Sequence, residues 1–373
     1  MDASINLAGK INVGVDYLDG YIRKVNVQSS RPTELTRLLE GKSPDEVIQR
    51  VPLLYSLCSC AQTIAALMAI ESAQGRLPDL QVLQARKLLL LAETTKELGL
   101  RLGRDWLDSA NLLNLPELLN WFADFRTQLA WCLQINPSVP EKRFPLPRFI
   151  SELEGMLKNI TGPDELQFKE AVYVQSQTHP IGKAVADLSD KYDGISLGPA
   201  CPEMDLSSDY LDWQLSLRGQ SFCALPQGEG GCFETSIWTR NCKRSMIKES
   251  NLLTINPIAQ RFLALLLELK AMPHRLLQVD DEELIRSDKP GFAWVEAARG
   301  ALIHRVTMTI NPNGDEQISQ YRIIAPTEWN FHPQGTLVSM LEGVKVPEDK
   351  AADLVGKLIL SVDPCVAYEV EVN

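Results

Sequence analysis

Asp363-Pro364-Cys365-Val366-Ala367-Tyr368-Glu369-Val370-Glu371-Val372-Asn373 closes the chain with one soft metal ligand where a thiolate site needs several. Cys365 follows an Asp-Pro pair, and the positions three and six residues beyond it hold Tyr368 and Glu371. Thiolates and imidazole suit nickel and low-spin iron, whereas a phenol and a carboxylate favour harder ions or none. The stretch reads as a metal-binding terminus with half of its ligands replaced, so the rest of the chain decides what Cys365 does.

That chain has 373 residues, 45% hydrophobic and 23% charged, with a formal net charge of -11. It is long enough for a large core, and the acidic balance argues against a nucleic-acid groove, which needs clustered Lys and Arg. The eight Cys, at 58, 60, 132, 201, 223, 232, 242 and 365, lack the short even spacings of a secreted disulfide framework. Met1-Asp2-Ala3-Ser4 opens without a basic region and an apolar stretch, so the expected compartment is cytoplasmic. Residues 51–70 carry no charge and are long enough to span a bilayer. Pro52, Tyr55, Ser56, Ser59, Gln62 and Thr63 make the run polar for a span, and a buried core helix with no membrane contact is expected.

At the N-terminus, Ile11, Val13 and Val15 alternate with Asn12, Gly14 and Asp16 before Asp19-Gly20 turns the chain into residues 21–27, a hairpin pattern. Apolar residues at three and four spacing then predict helices near 33–40, 53–74, 79–100, 116–135 and 147–158. Residues 185–250 are rich in Gly, Ser and Pro, with a loop expected over Gly228 to Gly231. A helix over about 255–269 precedes a second hairpin, 302–310 and 317–324, joined by Asn311-Pro312-Asn313-Gly314. Strands at both ends around a helical middle predict a helix-dominated α+β fold as one unit over 1–373.

Six further segments, in order, resemble the motifs of nickel-iron hydrogenase large subunits. Ile5-Asn6-Leu7-Ala8-Gly9-Lys10-Ile11 stands where that family has Arg-Ile-Glu-Gly-His, and Arg31-Pro32-Thr33-Glu34 resembles its Arg-Gly-x-Glu. The run from Gly41-Lys42-Ser43-Pro44 through Cys58 to Ala69-Ile70-Glu71 resembles, without a gap, the family run with its first Cys-x-x-Cys and a His four residues later. Glu234-Thr235-Ser236 with Thr239-Arg240 is similar to the Glu-Thr-Gly segment, and Glu296-Ala297-Ala298-Arg299-Gly300-Ala301 to the Glu-Ala-Pro-Arg-Gly strand entry. The most specific is Ala325-Pro326-Thr327-Glu328-Trp329-Asn330-Phe331-His332-Pro333, which resembles the Pro-Thr-Thr-Trp-Asn loop over the metal site. Asp363-Pro364-Cys365 follows where the family has its closing Cys-x-x-Cys-x-x-His.

The resemblance implies a large-subunit-like fold in which four thiolates hold nickel and the second cysteine of each pair bridges to an iron carrying cyanide and carbon monoxide. In this register Tyr55 and Tyr368 take the place of one cysteine each, Gln62 that of the histidine, and Ala8 that of the proton-relaying glutamate. No complete nickel site is expected, nor an enzyme. Cys58 and Cys365 are the implied metal ligands, with Cys60 as an extra sulfur, while Arg299 and Thr327 correspond to the donors that hold the diatomic ligands, where charge-assisted hydrogen bonds are strong. Plainer roles stand beside these. Free Cys in an apolar stretch behaves as a small buried hydrophobe, Arg299 has Glu296 nearby in sequence, and Thr327 can satisfy its own loop.

On Tyr55-Ser56-Leu57-Cys58 and the curtailed Asp-Pro-Cys end, with no cleavable tail expected, the resemblance is strongest to the HupK (HoxV) type of hydrogenase accessory protein. It implies a maturation scaffold that holds iron with cyanide and carbon monoxide transiently. The implied partners are the hydrogenase large subunit, a HypC-type chaperone and HypD-type maturation proteins. A metal-free interaction protein of the same machinery is the alternative, and an active hydrogenase subunit comes last.

Overall fold

A computed structural model describes residues 9–106, 112–161, 179–243 and 255–373. Ala8 and the segment before it therefore lie outside the described residues. Strand β1, Lys10–Leu18, and strand β2, Tyr21–Ser29, form the first hairpin around Asp19 and Gly20, both at positive φ as a two-residue primed turn requires. Helices α1 (Pro44–Leu54), α2 (Ser59–Ala73), α3 (Leu80–Arg101), α4 (Leu115–Leu129) and α5 (Leu146–Thr161) follow. The segment expected as a helix near 33–40 is a 3-10 turn, Thr33–Leu39.

The Gly- and Pro-rich middle still holds α6 (Pro180–Lys191), α7 (Ser208–Arg218), α8 (Gln220–Ala224) and α9 (Ile237–Asn241). The helix expected to end near 269 runs on as α10, Pro257–Leu277, capped at its start by Asn256 and continuing through Pro273. Strands β3 (Ile285–Arg286), β4 (Phe292–Ala297), β5 (Gly300–Ile310) and β6 (Glu316–Ile324) make an antiparallel sheet in sequence order. Short helices α11 (Pro326–Asn330) and α12 (Thr336–Leu341) lead into α13 (Glu348–Val362) and a last strand, β7 (Ala367–Val372).

Two features position the site. Strand β7 runs parallel to β1, from the pair Lys10 and Ala367 to Val15 and Val372, making a sheet in the order β2-β1-β7. The spacing of Cys365, Tyr368 and Glu371 marks ligand positions only, and the strand forms through its pairing with β1. The second feature is α2, which packs against β4 and β5 and is buried at every residue from Cys60 to Glu71. The stretch Ser56–Ala73 is apolar and long enough to cross a membrane by length and composition. Here most of it is the core helix α2, whose one carboxylate, Glu71, receives two hydrogen bonds from the buried Arg86 of α3 at 2.6 and 2.7 Å.

Candidate functional site

The apolar run over 51–70 is not one helix. Helix α1 starts at a capping box between Ser43 and Glu46, holds Pro52 inside, and ends at Tyr55. A single 3-10 turn, Ser56–Cys58, then sets Cys58 at the N-cap of α2. The first N–H groups of α2 have no partner in their own helix. Glu93 of α3 supplies one, accepting from the N–H of Cys60 and of Ala61 at 2.9 Å each. The break leaves Cys58 and Tyr55 facing a cavity instead of the helix interior.

The second half of the site comes from the other end of the chain. Helix α13 stops at Asp363, a buried residue held at φ 62, where a non-glycine residue is strained. Arg101 of α3 holds its carboxylate and also reaches the carbonyl of Pro364 at 3.3 Å, while Arg299 Nε lies 3.4 Å from Asp363 Oδ1. Pro364 cannot continue the helix, and Cys365 emerges between this knot and β7.

Arg299 sits in the turn from β4 to β5. Its Nη2 donates to Glu97 of α3 at 2.9 Å, and its own carbonyl accepts from Asn330 at 3.1 Å. Asn330 also accepts from the N–H of Thr235 at 2.8 Å, tying three of the sequence motifs together. Gly300, at φ 126, is required here: a Cβ would lie 1.9 Å from the carbonyl oxygen of Thr235. Thr327, at the start of α11, lies with its hydroxyl 3.0 Å from the sulfur of Cys365 and accepts from the Cys365 N–H at 3.4 Å.

These pieces enclose a cavity of about 110 Å³ lined by Cys58, Cys365, Arg299, Thr327, Arg31 and Tyr55, with Gln62 and apolar side chains such as Leu54 and Leu57 completing it. Room for one water needs roughly 10–15 Å³ on such a measure, so a group of several atoms fits. Cys365 and Arg299 also wall a second hollow with Arg101, Arg104 and Asp105. Burial pushes the Cys58 thiol up to about 12, with Glu93 and Cys365 adding to the rise and Arg299 and Gln62 opposing it. Burial works against the charge of Arg299, yet Asp363 and Glu97 beside it raise its pKa on balance. Burial alone would likewise raise Glu97, but Arg299 and Lys96 hold it below the usual carboxylate range.

A family model described as nickel-dependent hydrogenase matches residues 235–371. The chain is 30% identical to the hydrogenase expression/formation protein HupV of Azotobacter chroococcum mcd 1, over 98% of this chain and 99% of that one. It is 28% identical to HupK of Azotobacter vinelandii, also an expression/formation protein, with the same coverage. The chain belongs to this family of hydrogenase expression/formation proteins. Its fold is that of a hydrogenase large subunit: the Ni-Fe-Se hydrogenase of D. vulgaris Hildenborough in the reduced state superposes with a TM-score of 0.57 at 14% identity, over 94% of each chain. The expected α+β, helix-dominated architecture and the accessory role in hydrogenase formation both stand on these relationships.

For this member of the HupK and HupV family, Cys58, Cys365, Arg299 and Thr327 converge on one cavity, with Tyr55 and Gln62 beside them. Cys60 does not join them. It lies two residues past Cys58 on a helix, where the side chain has turned by roughly 200°, and it is buried in the core against Glu93. Tyr368 is also outside the cavity, in β7 opposite Ile11. Glu296 pairs with Arg240 and not with Arg299. Arg31 is the cavity residue that sequence reasoning passed over: it donates to the sulfur of Cys365 and pairs through Nε with Glu328 at 2.9 Å. Its place in the Arg31-Pro32-Thr33-Glu34 motif was the signal available.

Proposed function

We propose that this protein holds, as cargo, an iron carrying cyanide and carbon monoxide between Cys58 and Cys365 and passes it toward the large subunit of a nickel-iron hydrogenase. The observation that carries this reading is the buried guanidinium of Arg299, a residue that lines the same cavity as the two cysteines and whose Nη1 has no hydrogen-bond partner among the described residues. A buried donor without a partner is costly, and an anionic acceptor of cyanide type would satisfy it. Among the described residues no group of three or more His, Cys, Asp or Glu is arranged to hold a metal. A cargo that brings its own small ligands needs only the two sulfurs and suitable donors. The expression/formation role of HupV and HupK supports the direction of transfer.

In this reading the chain's own groups do simple work. Cys58 and Cys365 bind as thiolates, and taking up the metal displaces the proton that burial keeps on Cys58. Arg299 supplies a planar fork of donors, Thr327 and Arg31 contact Cys365, and Leu54 and Leu57 give the cavity an apolar wall. A HypC-type chaperone and HypD-type proteins would deliver the iron in the cytoplasm. The test is transfer: protein isolated without oxygen from cells with the maturation machinery is mixed with hydrogenase large subunit lacking its metals. Loss of the cyanide and carbon monoxide infrared bands from this chain, with their gain by the large subunit, is expected. Absence of bands from the chain at the outset would favour a metal-free interaction protein.

A further inference from the structure

Three buried side chains beside the cavity are linked by hydrogen bonds that take no part in the binding just described. Gln62 Nε2 lies 3.7 Å from the sulfur of Cys58. Gln62 Oε1 lies 3.0 Å from His304 Nε2, and His304 Nδ1 lies 2.9 Å from the hydroxyl of Tyr321. Gln62 comes from α2, His304 from β5 and Tyr321 from β6, and all three are buried.

The direction of these bonds follows from proton counting. Burial holds His304 down to about 3, so its imidazole is neutral and carries one N–H. Among the described residues the Tyr321 hydroxyl has no hydrogen bond besides the one to His304. Its buried proton must therefore go to Nδ1, or it stays without an acceptor. That puts the imidazole proton on Nε2, where Gln62 must accept with Oε1, and the amide is left with its N–H₂ toward Cys58. Each step leaves one arrangement.

We propose that Gln62, His304 and Tyr321 form a one-way hydrogen-bond relay that keeps an N–H donor on the sulfur of Cys58, making Gln62 a positioning residue for the candidate ligand. The inference rests on the reading of Cys58 as a ligand only for its effect on iron, not for the relay itself. A donor on a ligating sulfur draws electron density from it, as outer-shell partners of metal ligands do. Sulfur with that donor gives less density to the iron, and carbon monoxide on the iron vibrates at higher frequency.

Two measurements test it separately. Nitrogen-15 spectra of the metal-free protein labelled at histidine read the tautomer directly, and with only four His in the chain the signals are sparse. The relay requires the Nε2–H tautomer at His304, with the Nδ1 signal changed in Tyr321→Phe. An Nδ1–H tautomer overturns it, because the amide oxygen would then face Cys58. In iron-loaded protein, Gln62→Leu should move the carbon monoxide band to lower frequency, and Tyr321→Phe should move it the same way by less, which carries this arm should Gln62→Leu not fold. Loaded variants with unshifted bands overturn the proposal. If the parent protein shows no bands, the cargo reading has failed, and the tautomer alone decides the relay.

Discussion

The hydroxyl of Thr327 lies 3.0 Å from the sulfur of Cys365 while accepting from the backbone N–H of the same residue. The oxygen accepts from that N–H and meets the sulfur in a contact to which either atom can give the proton. Thr327 thus holds the proposed ligand Cys365 at both its sulfur and its N–H. Thr327→Val keeps the shape and removes both bonds, so we expect a folded protein less stable by about 0.5–1.5 kcal/mol in urea unfolding, with weaker iron retention. Unchanged stability and iron content would show that the contact fixes nothing.

Arg299 is held by Glu97 at 2.9 Å and stands 3.4 Å from Asp363. Removing one partner of a buried pair typically costs about 3–5 kcal/mol. Glu97 keeps Lys96, and Asp363 keeps Arg101, so Arg299→Ala belongs at or below the lower end of that range. Arg299→Lys keeps the charge but loses the fork, and its expected mark is shifted cyanide bands in a folded protein. Identical bands in Arg299→Lys and the parent would make this arginine structural only.

At Gly300 the backbone has φ 126 and a Cβ would meet the carbonyl of Thr235 at 1.9 Å. Strain of this kind costs on the order of 1–3 kcal/mol for the backbone alone, before the clash is counted. Gly300→Ala should therefore lower the midpoint of thermal unfolding sharply or leave the protein insoluble. A variant with the parent's midpoint would mean that the turn from β4 to β5 can shift without cost.

The elements with local signals were legible in the sequence. Asp19-Gly20 marked its turn, and the apolar periodicity marked α3, α4 and α5. What was missed depends on distant partners. β7 has only six residues, and its first strand partner is far upstream: Lys10 and Glu369 are 359 positions apart and joined by an ion pair at 2.6 Å. The helix break at Tyr55 to Cys58 hides inside an uncharged run because it is stabilised from outside, by Glu93 capping α2. Convergence of Cys58, Cys365, Arg299 and Thr327 was legible through motif order. The roles of Arg31 and Cys60 were not, since one depends on a contact 334 residues away and the other on the phase of α2.

Burial lowers the His304 pKa from an ordinary 6.5 to about 3, so the unfolded chain takes a proton there before the folded one does. Its contribution to stability is complete above pH 6.5 and is lost as pH falls from about 6.5 to about 3. Over that window one proton corresponds to about 1.4 kcal/mol per pH unit. His304→Leu should be less stable at pH 7, where Tyr321 loses its acceptor, yet lose less stability than the parent between pH 6.5 and 4.5. Parallel urea-unfolding curves for the two proteins across that range would contradict a buried neutral imidazole.

The most direct test of the central claim is infrared spectroscopy of protein purified without oxygen alongside its maturation partners, comparing the parent with Cys58→Ala, Cys365→Ala and Cys60→Ala. The account predicts cyanide and carbon monoxide bands in the parent, their loss in each of the first two variants, and their survival in Cys60→Ala, whose sulfur lies outside the cavity. Bands at full intensity in both Cys58→Ala and Cys365→Ala would contradict it.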